Sequence, residues 1–396
     1  MKRGIFGRMG WWVLGLGLWG LWVWTARPQE IQIRKEVLWQ PGTARPIPIV
    51  LNGFEGEAAA VLRFDLEVAG FQIVGPESAE FELKGGRTGG GLEGALVDRQ
   101  SRVTLWARVY SGGTLRYQAH AMADDVVLAV TGRPGIAQTR IAFKVESDGT
   151  SEIYVSDYDG YGARAVTQDR SLVAAPCWAP GRLVLYYTSY KSGNPDILRH
   201  DLTTGRREVV SGHPGLNTSV AISPDGQRMA MILSKDGATE LYTARADGSG
   251  LKRLTFSRED KSSPTWSPDG RWICFATRQN GRRILARIPA EGGSVQRIAT
   301  AGVSNPSEPD WSPDGKWIAF TAQMGGFEIC VVPAEGGAAT VLVGGEDPSW
   351  APNSRTLIFT RRQGGRKVLS LLDVATRQVK DVARVAGNSS QPSWAR

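Results

Sequence analysis

The chain has 396 residues, enough for two domains with a substantial core, and its 48 glycines and 14 tryptophans suit a fold with many turns and many broad apolar contacts. Its net charge of +8 gathers at the start: Lys2, Arg3, Arg8 and Arg27 precede Pro28 with no acidic residue among them, and the other 43 basic and 39 acidic residues are interspersed. No basic run is longer than two residues, as at Arg361-Arg362 and Arg366-Lys367, so nucleic acid is not an expected partner.

In chain order, residues 1–27 read as an export signal or an N-terminal anchor. Lys2, Arg3 and Arg8 form the positive region, and Met9–Trp24 is apolar apart from its glycines. Trp24 stands where a small residue would serve cleavage after Ala26, and the run approaches the ~18 residues of a membrane span. Both a cleaved signal and a retained anchor stay open; export is common to the two.

Residues 28–137 predict an extended arm followed by a small α/β domain. The alternation Ile31-Gln32-Ile33 leads into a polar stretch, with the arm running over about Glu30–Thr43. Strands are predicted at Pro46–Leu51, Phe71–Val74, Phe81–Leu83, Leu92–Val97 and Val103–Val109. Helices are predicted at Glu55–Ala69, with Ala58, Val61, Leu62 and Leu66 on one face, and at Leu115–Val130, with Ala119, Met122, Val126 and Val130 on one face. Gly85-Gly86 and Gly112-Gly113 are read as turn glycines.

From residue 138 onward the pattern repeats. Trp266-Ser267-Pro268-Asp269-Gly270 and Trp311-Ser312-Pro313-Asp314-Gly315 are the clearest copies of one phrase, and altered copies begin at Trp178, Ile222, Trp350 and Trp394. Successive starts lie 44, 44, 45, 39 and 44 residues apart, a period that fits a four-stranded propeller blade. In the phrase, Pro presets the first turn position, Asp bonds the local backbone, and Gly takes the positive φ that closes the hairpin. The leading Trp ends one strand and offers a plate to the next blade. A second series, from Glu152-Ile153-Tyr154-Val155 to Lys367-Val368-Leu369-Ser370, marks third strands. This series starts before the first Trp anchor, and nothing follows the last anchor. Gln391–Arg396 is therefore expected to supply the innermost strand of the blade whose other strands lie within Thr139–Gln168, closing a six-bladed ring.

Little in the chain points to catalysis. His120, His200 and His213 are scattered, and Cys177, Cys274 and Cys330 fall in different blades as small buried residues. No phosphate-binding, dinucleotide, zinc-protease or serine-hydrolase motif occurs, and Asp225, Asp269 and Asp314 are needed by their turns. No metal, cofactor or catalytic residue is expected. The expectation is a monomeric binding protein whose contacts lie just before each innermost strand, around the channel mouth: Asn217, Ser219, Lys261, Ser263, Ser307, Glu308, Asp347 and Gln391. The alternatives are an exported propeller hydrolase or lyase with a channel active site, or an orphan propeller that recognises a peptide or glycan.

Thr139-Arg140-Ile141-Ala142 leading into Ser156-Asp157-Tyr158-Asp159-Gly160-Tyr161, Ala44-Arg45-Pro46-Ile47 after the arm, and Leu115-Arg116-Tyr117 through His120 and Asp124 to Thr131-Gly132 resemble the TolB family of the Tol–Pal envelope system. The resemblance covers nearly the whole mature chain. It implies an α/β domain before a six-bladed propeller, a periplasmic location and no enzymatic activity. It also implies two partners: a Pal-like peptidoglycan-associated lipoprotein at the channel mouth, and a TolA-like inner-membrane protein that takes the arm, with Ile31, Ile33 and Val37 as its apolar contacts. The role implied is envelope integrity and outer-membrane constriction in division. His120 and Asp124 match the family helix as residues of the domain interface.

Overall fold

The computed structural model describes residues 40–382, 385 and 387–396, so the signal or anchor reading of residues 1–27 and the arm residues Ile31, Ile33 and Val37 lie outside the described residues. Among the described residues no helix is long and apolar enough to cross a membrane.

The first region is α/β. Its elements are β1 (Ile47–Asn52), α1 (Gly56–Val68), β2 (Phe71–Ile73), β3 (Phe81–Thr88), β4 (Gly91–Asp98), β5 (Val103–Tyr110) and α2 (Leu115–Thr131). They build one sheet of order β2-β1-β3-β4-β5. The apolar faces predicted for both helices are buried on it, through Leu62 and Leu66 of α1 and Met122 and Val126 of α2 against Ile49, Leu83, Leu92 and Leu96. Thr114 caps α2, its hydroxyl accepting from the Tyr117 N–H at 3.2 Å, and Gly132 ends the helix at φ 69°. Gly85-Gly86 is not a turn. Both residues lie inside β3, where a Cβ on Gly85 would meet the Glu93 carbonyl oxygen at 2.1 Å, so glycine is required by close backbone approach.

The rest is a six-bladed propeller, as the repeat predicts. Blades two to six have innermost strands Val173–Trp178, Asn217–Ile222, Ser262–Trp266, Ser307–Trp311 and Glu346–Trp350. Blade one is closed by Asn388–Trp394, which pairs antiparallel with Arg140–Ser147, so the ring is sealed from the tail as expected. Each anchor residue ends its innermost strand. The plates also tie blades together: Trp178 Nε1 donates to the Ser393 carbonyl at 3.2 Å, Trp266 Nε1 to Ala221 at 3.0 Å and Trp350 Nε1 to Asp310 at 3.1 Å, each in the preceding blade. The Asp-Gly turns behave as read, with Ser267 Oγ donating to Asp269 at 2.6 Å and Gly270 at φ 68°.

The two regions meet along α1, α2 and the bottoms of blades one and six. Phe64 and Val68 of α1 pack with Tyr158, Ile358, Leu371 and Trp394 in one apolar cluster. Gly70 (φ 87°) sits where a Cβ would strike the Arg355 guanidinium, itself paired with buried Asp373 at 2.5 Å.

Candidate partner-binding channel

All six innermost strands carry the same defect. Midway along each ladder with its neighbour the register slips by one residue, a β-bulge. At the slip stands a non-glycine residue with positive φ: Ala175 (50°), Ser219 (54°), Ser263 (50°), Glu308 (52°), Asp347 (56°) and Gln391 (51°). Such conformations are uncommon outside glycine, and six at equivalent positions form a designed ring, not scattered strain. Proline follows five of the six, at Pro176, Pro264, Pro309, Pro348 and Pro392. It cannot donate to the ladder, so it fits where the ladder is broken.

These six residues and the prolines line the open end of a central channel of about 550 Å³. Five of the predicted mouth residues are therefore brought together: Ser219, Ser263, Glu308, Asp347 and Gln391. They sit within the innermost strands and not before them, because the bulge turns strand residues toward the axis. The other three stand elsewhere. Asn217 is fully buried and holds its own loop, donating to the His213 carbonyl at 2.7 Å and accepting from the Ser211 hydroxyl at 2.8 Å. Lys261 is buried on Glu240 at 3.0 Å. Ser307 opens its strand and does not line the channel. Ala175 is the ring member that sequence reading missed. The signal was present as X-Pro-X-Trp ahead of the anchors, but polarity was used to choose residues and alanine has none.

The ring is laterally bonded on one side. Glu308 Oε2 accepts from the Asp347 N–H at 3.1 Å, Asp347 Oδ2 accepts from the Gln391 N–H at 3.2 Å, and Gln391 Oε1 accepts from the Ala175 N–H at 3.0 Å. Each side chain thus satisfies the bulge amide of the next blade. Thr321 donates to Glu308 at 2.6 Å and Thr360 to Asp347 at 3.1 Å. Burial pushes the Asp347 carboxyl up to about 7, reinforced by the nearby Glu308 and Glu346 charges and opposed by the Gln391 N–H and the Thr360 hydroxyl.

One layer deeper a second relay runs the same way. The Trp311 N–H donates to Thr265 Oγ1 at 3.2 Å, Trp350 N–H to Asp310 Oδ2 at 2.7 Å, and Trp394 N–H to Ser349 Oγ at 3.1 Å. At the far end Arg396 crosses the channel, donating to the Trp350 and Trp311 carbonyls at 3.2 and 3.3 Å and pairing with Asp310. Cys177 lines the wall, but burial raises its thiol to about 11, which keeps it protonated. Among the described residues no group of three or more His, Cys, Asp or Glu is placed to hold a metal ion.

His120 and Asp124 stand at the seam between the two regions. His120 Nδ1 lies 2.7 Å from Asp65 Oδ2, and Tyr158 of blade one donates to Asp65 Oδ1 at 2.5 Å while stacking on Trp394 with ring centroids 6.1 Å apart. Asp124 accepts from the Ala137 N–H at 2.8 Å and from Gln138 Nε2 at 3.1 Å, at the link between regions. Arg116 pairs with Asp159, both about 5% exposed, and its guanidinium lies 4.3 Å from the Tyr161 ring. The Ser156-Asp157-Tyr158-Asp159-Gly160-Tyr161 string thus supplies three of the seam's contacts through Tyr158, Asp159 and Tyr161.

Comparisons with known proteins agree with this architecture. The profile described as the TolB beta propeller domain matches residues 127–396. Tol-Pal system protein TolB of Anaeromyxobacter dehalogenans strain 2CP-C is 31% identical over 267 residues, covering 56% of this chain and 60% of that protein. The namesake in Anaeromyxobacter sp. strain K is 31% identical over 261 residues with the same coverage. The chain thus spans about 60% of the length of the curated relatives it matches. In fold it is similar to the crystal structure of TolB from Acinetobacter baumannii, with TM-score 0.80 at 23% identity over 90% of this chain and 98% of that one. A putative TolB from Agrobacterium tumefaciens superposes more loosely, with TM-score 0.51 at 21% identity over 62% of this chain and 89% of that one. With the six-bladed ring, its tail-borne closing strand and a profile match across the whole propeller, the chain belongs to the TolB beta-propeller family.

Proposed function

We propose that this protein is a non-enzymatic periplasmic adaptor of a Tol–Pal system, whose channel mouth grips a Pal-like peptidoglycan-associated lipoprotein. Its N-terminal arm offers a strand to a TolA-like inner-membrane protein. In that role it links the outer membrane and peptidoglycan to the inner-membrane machinery, serving envelope integrity and constriction during division. The observation that carries the reading is the bulge ring: a rigid repeat scaffold that presents six side chains of five kinds at one open mouth on the propeller of this family. Unlike groups on a fixed frame suit recognition of one partner. The titratable groups of the mouth, Glu308 and Asp347, are held by hydrogen bonds from threonines and backbone amides, an arrangement that suits binding better than proton transfer.

The test is a titration of the purified protein with the soluble domain of the Pal-like lipoprotein from the same genome, followed by calorimetry. The expected result is a saturable complex that Glu308→Lys weakens at least tenfold, since the lysine neither accepts from the Asp347 N–H nor matches the mouth's charge. No complex with a folded parent protein overturns the reading. Asn217→Ala, at a buried loop anchor, is expected to change stability and not contact.

A further inference from the structure

The lateral relay covers half of the ring and stops. The side chains of Glu308, Asp347 and Gln391 accept the bulge N–H of the next blade, whereas the other three ring members, Ala175, Ser219 and Ser263, carry side chains too short for that span. Among the described residues no side chain accepts from the N–H of Ser219, Ser263 or Glu308, the three amides next in order. All six positions share one bulge geometry and one sign of φ, so those three amides face the places where the relay's acceptors would stand. Amides on half-buried residues that no side chain reaches favour a ligand that brings an acceptor.

We infer that the Ala175, Ser219 and Ser263 half of the lip is a socket for neutral carbonyl acceptors of an inserted segment, the backbone of a tight turn or an Asn or Gln amide oxygen, which complete the relay. This deepens the adaptor reading and rests on it for the identity of the partner. The acceptor is neutral because the opposite half of the same lip holds the Glu308 and Asp347 carboxylates. There a further negative charge is disfavoured by like charge, which adds to burial in holding the Asp347 carboxyl up. Anion-binding groups of adjacent backbone amides are common, and here the fixed carboxylates shift the preference to uncharged oxygen. The prolines at Pro176 and Pro264 supply apolar walls against which a turn packs.

Two measurements on the full chain decide the matter. The first follows backbone amide resonances while acetyl-asparagine amide is added, with acetate as the comparator. Downfield movement of the Ser219, Ser263 and Glu308 amides with the neutral probe, small for acetate and absent at Ala175, Asp347 and Gln391, supports the socket. No movement, or equal movement with acetate, overturns it. The second builds the missing acceptors into the chain. Ser263→Gln and, as a second variant, Ser219→Gln place at positive φ the residue that Gln391 already carries there, and should leave the melting temperature unchanged. Each is expected to weaken the Pal-like domain at least tenfold. Variants that bind it like the parent overturn the socket and leave the adaptor reading standing. A parent that binds no lipoprotein overturns the adaptor reading, and the amide resonances then judge the socket alone.

Discussion

The seam between the two regions and the mouth of the channel are both polar, yet they use polarity in opposite ways. At the centre of the seam the charges are spent inward: Asp65 takes Tyr158 and His120, and Asp159 takes Arg116, nearly all out of solvent. The mouth repeats one backbone geometry six times and varies the side chain, leaving three amides without a side-chain acceptor. A contact made once, buried and paired, holds the molecule together. A contact offered repeatedly with unlike groups and incomplete pairing is a recognition surface. The seam should therefore govern stability and the mouth binding, and the following experiments press on that division.

The largest effect is expected from removing residues 391–396, which takes Trp394 and half of the closing strand from blade one and leaves Arg140–Phe143 as a bare edge. Cooperative melting followed by circular dichroism should vanish and the chain should aggregate. A truncated protein as robust as the parent would refute tail closure. Next comes the seam. Asp159→Ala takes the paired carboxylate from the buried Arg116 guanidinium, and chemical denaturation should show a loss of about 3–5 kcal/mol. Affinity at the mouth should be unaltered in the folded fraction. A loss below about 1 kcal/mol would mean that the seam is not the structural weld described here.

A smaller effect, with a pH signature, belongs to Asp347. Its folded carboxyl is pushed up to about 7 from an ordinary 3.8, so between those values the folded chain holds a proton that the unfolded chain has lost. Stability from this group then falls as pH rises through that window and levels off above it. Asp347→Asn should match the parent near pH 4 and exceed it above pH 7 by on the order of 1–3 kcal/mol, measured by urea titration at each pH. An advantage that is constant with pH would remove the titration from the account. The smallest effect is expected at Glu308→Gln, which keeps an oxygen for the Asp347 N–H and should change stability by less than about 1 kcal/mol.

Much of this fold was legible because a repeat states its geometry several times over. Trp266-Ser267-Pro268-Asp269-Gly270 predicts a hairpin from turn chemistry alone, and the phase of the anchors against the third-strand motifs predicts closure by the tail. The helices of the first region were readable from their periodic apolar faces. Gly85-Gly86 was misread, because a glycine pair signals a turn as readily as close approach inside a strand, and only the position of Glu93 across the sheet separates the two. Asn217, Lys261 and Ser307 were chosen as polar residues near a strand start. What directs one strand residue to the axis and buries its neighbour is the bulge, and proline marked it more faithfully than polarity did.

Linear sequence therefore specified the turns, from residues adjacent in the chain, and the number of blades and the closing strand, from the count and phase of the repeats. Three-dimensional packing decided which six residues share the mouth and which amides are left over among them. It also joined Asp65 to Tyr158, and Arg116 to Asp159, across two separate regions. Those pairings bring together groups far apart in sequence, and their partners are set by how blades and domains stack, a property that no single segment carries.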